Sequence, residues 1–95
     1  MATHFKRNER IVERNIRGER ILVPVSGTAE ALDSIYTLNG TAGEIWDLAC
    51  KGKTPAEIAE TLASTYSVEA AQAESDTAEI LGQLLEIGAL EAMED

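Results

Sequence analysis

The sequence predicts an α+β domain of the small winged-helix-like type, with a three-stranded antiparallel sheet followed by three helices. Two observations lead to this class. Over the first forty positions, apolar and polar residues alternate at period two in short runs, which is typical of strands. From Asn39 onward the apolar residues recur at helical spacing instead. A chain of 95 residues has room for one core, so residues 1–95 are expected to form a single domain with looser ends at 1–9 and 91–95.

The first two predicted strands form a hairpin. Alternation runs from Ile11 to Ile16 and again from Arg20 to Val25. Arg17-Gly18-Glu19 lies between these runs and offers a glycine for a turn position with positive φ. A loop from Ser26 to about Leu32 follows. The third predicted strand is short and runs from Asp33 to Leu38.

Capping signals mark where the first two helices begin. Asn39 and Thr41 are both candidate N-caps of the first helix, and Glu44 is placed to complete a capping box with Thr41. The second helix has a sharper signal in Thr54-Pro55-Ala56-Glu57. This run supplies a cap, a proline at the first helical position and a returning glutamate in the expected order.

The helix ends and inward faces follow from the same pattern. Gly52 is expected to end the first helix, Ser67 to cap the third and Gly88 to end it, with Leu90 folding back onto the third helix. The residues predicted to face the core are Ala42, Ile45, Trp46 and Ala49 in the first helix, Ile58, Ala59, Leu62, Ala63 and Tyr66 in the second, and Ala73, Thr77, Ile80, Leu81, Leu84 and Ile87 in the third.

The charge is strongly asymmetric along the chain. The net charge is −9, yet six of the eight basic residues lie in the first twenty positions, beside three acids. The other 75 residues carry two basic residues and fourteen acids, which the helical pattern places on solvated faces. A surface of this kind repels phosphate, so nucleic acid is an unfavourable partner.

The groups that catalysis or metal binding would need are missing from the sequence. His4 is the single histidine, no glycine-rich phosphate loop follows a strand, and no His or Cys pair has metal-binding spacing. We therefore expect no enzymatic activity, no cofactor and no metal. Cys50 is interpreted as a small apolar filler at a helix end, since no base is predicted beside it. Tyr36 and Trp46 have rings suited to stacking on a cofactor, but their apolar stripes favour core positions.

The expected compartment is the cytoplasm. Residues Met1 to Arg7 carry charge with no apolar stretch of secretory type behind them, so no signal peptide is predicted. No apolar run approaches the roughly 20 residues that a bilayer requires. A lone cysteine also suits a reducing compartment.

Residues spread over most of the chain occur in an order shared with one known family. They are Leu38-Asn39, Ala42, Ile45-Trp46, Leu48, Gly52-Lys53-Thr54, Glu57-Ile58, Leu62, Tyr66-Ser67-Val68 and Leu84 to Leu90 with Gly88. By this order, from about Ile11 to Leu90, the sequence resembles the PqqD family, named after a protein of pyrroloquinoline quinone biosynthesis. The segment Ser26 to Ser34 departs from the family, because it is longer and poorer in the usual strand residues.

The resemblance implies a peptide chaperone, or recognition element, for ribosomally made and post-translationally modified peptides. Such proteins hold the leader segment of a precursor peptide and present its core to a modifying enzyme, commonly a radical S-adenosylmethionine protein. The resemblance implies that the leader binds as an added strand, which pairs with the third strand and lies in a groove against the third helix. By position, the resemblance places the leader beside Ser34, Ile35, Tyr36, Thr37 and Leu38 and along the helix from Val68 to Ile87.

An edge strand suits this use on physical grounds, because its unpaired amides and carbonyls can accept a further strand. The alternative is an edge that is merely solvated, or covered by the loop from Ser26 to Leu32.

On the third helix, a second stripe beside the core face is predicted to be the groove wall. At about 100° per residue it comprises Ala71, Ser75, Ala78, Gly82 and Leu85. The alanines of this stripe could instead serve only helix propensity, or the stripe could pack against the first helix or a second subunit.

Two other functions remain open at this point. A winged-helix DNA-binding domain would share the topology, but the helix from Val68 to Ile87 carries five acids and no basic residue. A bare interaction subunit of an enzyme complex, with no peptide involved, is the second alternative, and a homodimer is one assembly that the sequence permits.

Overall fold

The computed structural model describes residues 3–24, 36–38 and 40–94. In chain order the elements are β1 Thr3–Arg7, β2 Ile11–Ile16, β3 Glu19–Pro24, β4 Tyr36–Leu38, α1 Gly40–Cys50, α2 Pro55–Tyr66, α3 Ala70–Glu86 and β5 Leu90–Glu94. One antiparallel sheet has the order β2-β3-β4, and β1 pairs with β5 in a second. The α+β class is confirmed, as are the three-stranded sheet and the three helices that follow it. None of the described helices is long and apolar enough to cross a membrane.

The hairpin of β2 and β3 closes through a two-residue turn, one residue shorter than predicted. Ile16 pairs with Glu19, so only Arg17 and Gly18 lie in the turn. Both have positive φ, 52° and 83°, which is the conformation of a type I′ turn. This turn matches the twist of the two strands, and it sets the register of β2 against β3.

The predicted inward faces of the helices form most of the core. The largest fully buried side chains are Trp46, Leu22, Ile45, Ile58, Leu62, Leu84 and Thr77. Leu90 is also buried, as predicted, and packs in the same cluster. The prediction is wrong at Tyr66, which is 44% exposed because α2 ends there and its last turn reaches beyond the core.

The helix caps are confirmed in part. Thr54 caps α2, with its side chain accepting from the Glu57 amide while the Glu57 carboxylate accepts from the Thr54 amide. The capping box at Thr41 is wrong, because α1 already begins at Gly40 and places Thr41 inside the first turn. Asn39, the other candidate cap of α1, lies outside the described residues.

The connection between α2 and α3 also differs from the prediction. Ser67 does not cap α3; it has a φ of 55° and ends α2 in the left-handed conformation, while Glu69 stands at the N-cap of α3 without a side-chain bond. Gly52 and Gly88, with φ of 85° and 78°, follow α1 and α3 as expected. Both positions need the left-handed region, which glycine adopts without strain.

The second sheet joins the two ends of the chain, where loose segments were expected from the sequence. Phe5 of β1 and Leu90 of β5 are buried, and Arg7 pairs with Leu90 across the ladder. Asn8 then continues the connection, since its side-chain amide donates to the Gly88 carbonyl at 2.8 Å and its backbone amide to the Ala89 carbonyl at 2.9 Å. The Asn8 and Gly88 partners lie 80 residues apart in the sequence, so no local pattern could indicate the pairing.

Candidate functional site

The register of the sheet decides where the backbone of β4 points. In a two-residue hairpin the residues next to the turn, Ile16 and Glu19, form a hydrogen-bonded pair, and such pairs alternate with non-hydrogen-bonded ones. The backbone N–H and C=O of Ile21 therefore bond to Arg14 of β2. Ile21 and Thr37 of β4 consequently form a non-hydrogen-bonded pair. It follows that the N–H and C=O of Thr37 point away from β3, toward the outer edge of β4.

The side chains of β4 alternate between solvent and core. Thr37 is exposed, Tyr36 is half-buried, and Leu38 is only 4% exposed and lies in the core. Ser34 and Ile35, the other two residues predicted for this part of the site, lie outside the described residues, as does the loop from Ser26 to Leu32. Along its described length, β4 therefore offers the Thr37 backbone and two side chains, Tyr36 and Thr37.

Tyr36 connects β4 to α3. Its hydroxyl donates a hydrogen bond of 2.7 Å to Oε1 of Gln83. Burial raises the pKa of the Tyr36 phenol, and the nearby negative charge of Glu79 raises it further. The hydrogen bond and the charge effect together place Gln83 and Glu79 on the side of α3 that faces β4, and so they define the rotation of the helix about its axis.

We call this side of α3 the strand-facing flank. At about 100° per residue, the residues that share it are Gln72, Asp76, Glu79, Ile80 and Gln83. Ile80 packs against the edge of the core, and the side-chain amide of Gln72 donates to Asp76 at 2.9 Å. Ile80 was predicted to face the core, but no sequence signal singled out the other four residues, because the acids among them have the appearance of an ordinary solvated face.

The predicted groove wall lies elsewhere on α3. Ala71, Ser75, Ala78, Gly82 and Leu85 are all exposed, but the centre of their stripe is about 120° around the helix from Gln83. Ala78 instead lines a small cleft between α3 and α2, together with Pro55, Ala56 and Ala59. The structure thus does not bring this stripe together with β4.

The strand-facing flank has acidic side chains and no basic ones. The chain has no Lys or Arg after Lys53. The ion pairs among described residues join Arg20 to Glu13 and to Asp47, and none involves an acid of α3. The α3 surface is therefore negative, which opposes contact with a phosphate backbone.

On the side of the sheet away from β4, a polar network connects the β2–β3 hairpin to α1. Arg20 donates to both carboxylate oxygens of Asp47, at 3.1 and 2.7 Å, and forms a second ion pair with Glu13 at 2.9 Å. These bonds, first of all those to Asp47, raise the already high pKa of the Arg20 guanidinium. Glu13 also accepts from the indole N–H of Trp46 at 2.8 Å, and Arg7 lies over the Trp46 ring at 5.7 Å. The network holds the hairpin in place and so supports β4, which pairs with β3.

Cys50 does not serve as a buried filler, because it ends α1 as an exposed residue. Partial burial of its thiol raises the pKa of Cys50 to about 11. Near neutral pH the thiol is protonated, so it is a poor nucleophile. A surface cleft of about 730 Å³ lies beside Cys50 and the edge of β1, and no residue of β4 lines it. Within the described part of the chain, no three acidic, His or Cys residues are grouped to hold a metal.

The chain is similar to a known family and to solved structures of other proteins. The family model described as coenzyme PQQ synthesis protein D (PqqD) matches residues 19–90. A solved structure of TbiB1 in complex with the TbiA(beta) leader peptide is 28% identical, with a TM-score of 0.74 and coverage of 95% of this chain and 99% of that chain. A lasso peptide synthetase B1 complexed with the leader peptide is 26% identical, with a TM-score of 0.75 and coverage of 96% and 99%. No curated protein matches the chain.

Proposed function

Because the chain belongs to the PqqD family, we propose that it is a non-catalytic peptide chaperone that binds the leader segment of a precursor peptide. The leader adds as a strand to the outer edge of β4, and the bound precursor is presented to a modifying enzyme. One observation carries the proposal. The backbone groups of Thr37 point to a strand edge beside α3 with which no other described strand pairs, in a fold shared with two leader-peptide complexes.

Strand addition accounts for the combination of a backbone edge and a helix flank. Hydrogen bonds to the backbone of β4 supply affinity with little demand on the peptide sequence. Alternate side chains of the added strand point to the same face, so every second residue of the leader meets the strand-facing flank. We place the groove wall on this flank, in preference to the stripe that contains Gly82, because Tyr36 already bridges β4 to Gln83.

The enzyme that receives the bound precursor is proposed from the family and from the similar structures. The family resemblance favours a radical S-adenosylmethionine protein, whereas the similarity to lasso peptide synthetase B1 favours another component of a peptide synthetase. Both would act in the cytoplasm on a freshly made precursor, a compartment that suits the free thiol of Cys50. A homodimer remains a prediction.

The proposal is tested with peptides selected by this protein from a displayed random-peptide library. Thr37→Pro removes the amide that points to the edge of β4 and restricts the preceding residue. The affinity for a selected peptide is expected to fall about fivefold or more, the equivalent of about one hydrogen bond or 1 kcal/mol. Thr37→Ala is the matched control, because it keeps the amide and loses only an exposed side chain.

A second measurement does not depend on the variant folding. Amide hydrogen exchange at Thr37 in the unmodified protein is expected to slow when the peptide is bound. Unchanged exchange at Thr37, together with equal affinities of a folded Thr37→Pro variant and the Thr37→Ala control, would remove β4 from the binding site.

A DNA-binding function would instead require a positively charged α3. A recognition helix needs cationic side chains for phosphates and base edges, and α3 has none. We expect no shift of duplex DNA in a mobility assay at moderate salt. A salt-dependent shift at nanomolar protein would favour the DNA-binding function instead.

A further inference from the structure

Two carboxylates on the strand-facing flank have no positive partner within the described protein. Asp76 and Glu79 are three residues apart on α3, a spacing at which like charges destabilise a helix slightly. The hydrogen bond that Asp76 accepts comes from an uncharged donor, the Gln72 amide. The described Lys and Arg residues form no ion pair with either acid. A local cost that the fold does not offset is typical of a functional surface.

An apolar side chain stands next to these acids on the same flank. Ile80 is half-buried and packs against the core, so part of its side chain is exposed on the flank. Asp76 and Ile80 are separated by about 6 Å along the helix, at 1.5 Å per residue. Side chains on one face of an extended strand repeat at about 6.6 to 6.8 Å. An added strand that runs along α3 would therefore place two successive same-face residues at the acidic and the apolar parts of the flank.

From this match we infer that the leader recognised by this protein has a Lys or Arg beside Asp76 and Glu79 and an apolar residue two positions away, facing Ile80. The inference rests on the proposed leader-binding site and specifies its ligand. The basic residue forms ion pairs that neutralise the flank. The apolar residue covers Ile80 and makes the attraction selective, because a cation alone would bind any exposed acid.

The test uses the 95-residue chain as bait for a displayed library of random peptides. We expect the selected peptides to be enriched in Lys or Arg paired with an apolar residue at a spacing of two. Glu79→Lys reverses one charge of the flank and is expected to weaken binding of a selected peptide about fivefold to tenfold, since exposed ion pairs are individually weak. High salt should weaken binding to the unmodified protein as well.

Glu74→Lys is the matched control, because it makes the same charge change on the same helix. Glu74 is exposed and lines the clefts toward α2, on the other side of α3 from Gln83. Its substitution is expected to change the affinity less than about twofold, since salt screens charges beyond about 8 Å at physiological ionic strength. Equal effects of the two variants would show that only net charge acts, and would overturn the inference.

The outcomes separate this inference from the proposed function. Selected peptides that need the Thr37 amide but lack basic residues, and that bind Glu79→Lys normally, overturn the inference and leave strand addition intact. A library that yields no peptide dependent on β4 overturns the proposed function, and the inference with it.

Discussion

Strands β2 and β4 are the two outer strands of the three-stranded sheet, and no other described strand pairs with their outer edges. The edge of β2 is occupied near its start by the chain itself. The Ile11 amide donates to the Asn8 carbonyl at 3.1 Å, and the Ile11 carbonyl accepts from the Arg7 guanidinium at 2.9 Å. At the edge of β4, the described residues make no hydrogen bond of this kind to the Thr37 backbone.

One small sheet can therefore be protected at one edge and receptive at the other. Charged or polar side chains that are exposed at Glu13, Arg14 and Asn15 discourage further pairing along β2. The edge of β4 has α3 beside it, linked through Tyr36 and Gln83, and we propose that α3 supplies the wall for an added strand. We assign stability to the β2 side of the sheet and binding to the β4 side, and substitutions can test each assignment.

The largest effect is expected from Glu13→Ala on the β2 side. The variant leaves the Trp46 indole N–H without its partner, although Trp46 is only 1% exposed, and it removes the ion pair to Arg20. The free energy of unfolding should fall by about 2 kcal/mol. Urea unfolding followed by Trp46 fluorescence measures it. Glu13→Gln keeps an acceptor for the indole and should lose less; equal losses would show that the indole bond contributes nothing. Affinity for a selected peptide should stay unchanged in both.

Gly82→Ala tests which side of α3 is the groove wall. A Cβ at Gly82 would meet no atom within 4 Å, so the helix should gain about 1 kcal/mol from the better propensity of alanine. Thermal unfolding measures the gain, and peptide titration should show no change. Gly88→Ala is the contrasting control, because its φ of 78° makes alanine strained and destabilising. Weaker peptide binding by Gly82→Ala would return the groove wall to the stripe of small residues.

Tyr36→Phe tests the connection between β4 and α3. It removes the hydroxyl that donates to Gln83, with an expected loss of about 0.5 to 1 kcal/mol in unfolding free energy. Tyr66→Phe is the matched control, since Tyr66 is exposed at the end of α2 and its loss of a hydroxyl should change little. Chemical denaturation of the two variants gives the comparison. Identical midpoints would mean that the bridge between β4 and Gln83 adds no stability.

The smallest effect is expected at the turn of the β2–β3 hairpin. Arg17 holds a φ of 52°, which asparagine tolerates better than arginine. Arg17→Asn should therefore raise the free energy of unfolding by about 0.5 kcal/mol, as measured by urea denaturation. Arg17→Ala still requires an unfavourable φ and should give no gain. A stabilised alanine variant would indicate that removal of charge, and not the turn conformation, is responsible.

Much of the fold was predictable because its signals are local. The capping box at Thr54 and Glu57 acts within one helical turn, and the inward stripe of α1 follows from helical period alone. Even here the errors have local causes. Serine is a favoured N-cap residue, but Ser67 ends α2 in the left-handed conformation. The chain must turn sharply there because α2 and α3 pack on each other.

The candidate site was predictable only in part. The edge strand followed from strand order and family resemblance, and the structure keeps Thr37 at that edge. The helix face was predicted from small side chains around Gly82, whereas Tyr36 meets the flank of Gln83 and Glu79. Amphipathic periodicity finds the buried face of a helix, but two flanks border that face, and the sequence contains no sign of which one turns to the sheet.

The amino-acid sequence was enough to establish the class of the domain, the order of most elements, the negative surface of α3 and the resemblance to one family. These properties depend on composition and on residues a few positions apart. The pairing of β1 with β5, the network of Arg20 with Glu13 and Asp47, and the rotation of α3 toward Tyr36 became visible only in three dimensions. They depend on contacts between residues far apart in the chain, which come together only when the whole core packs.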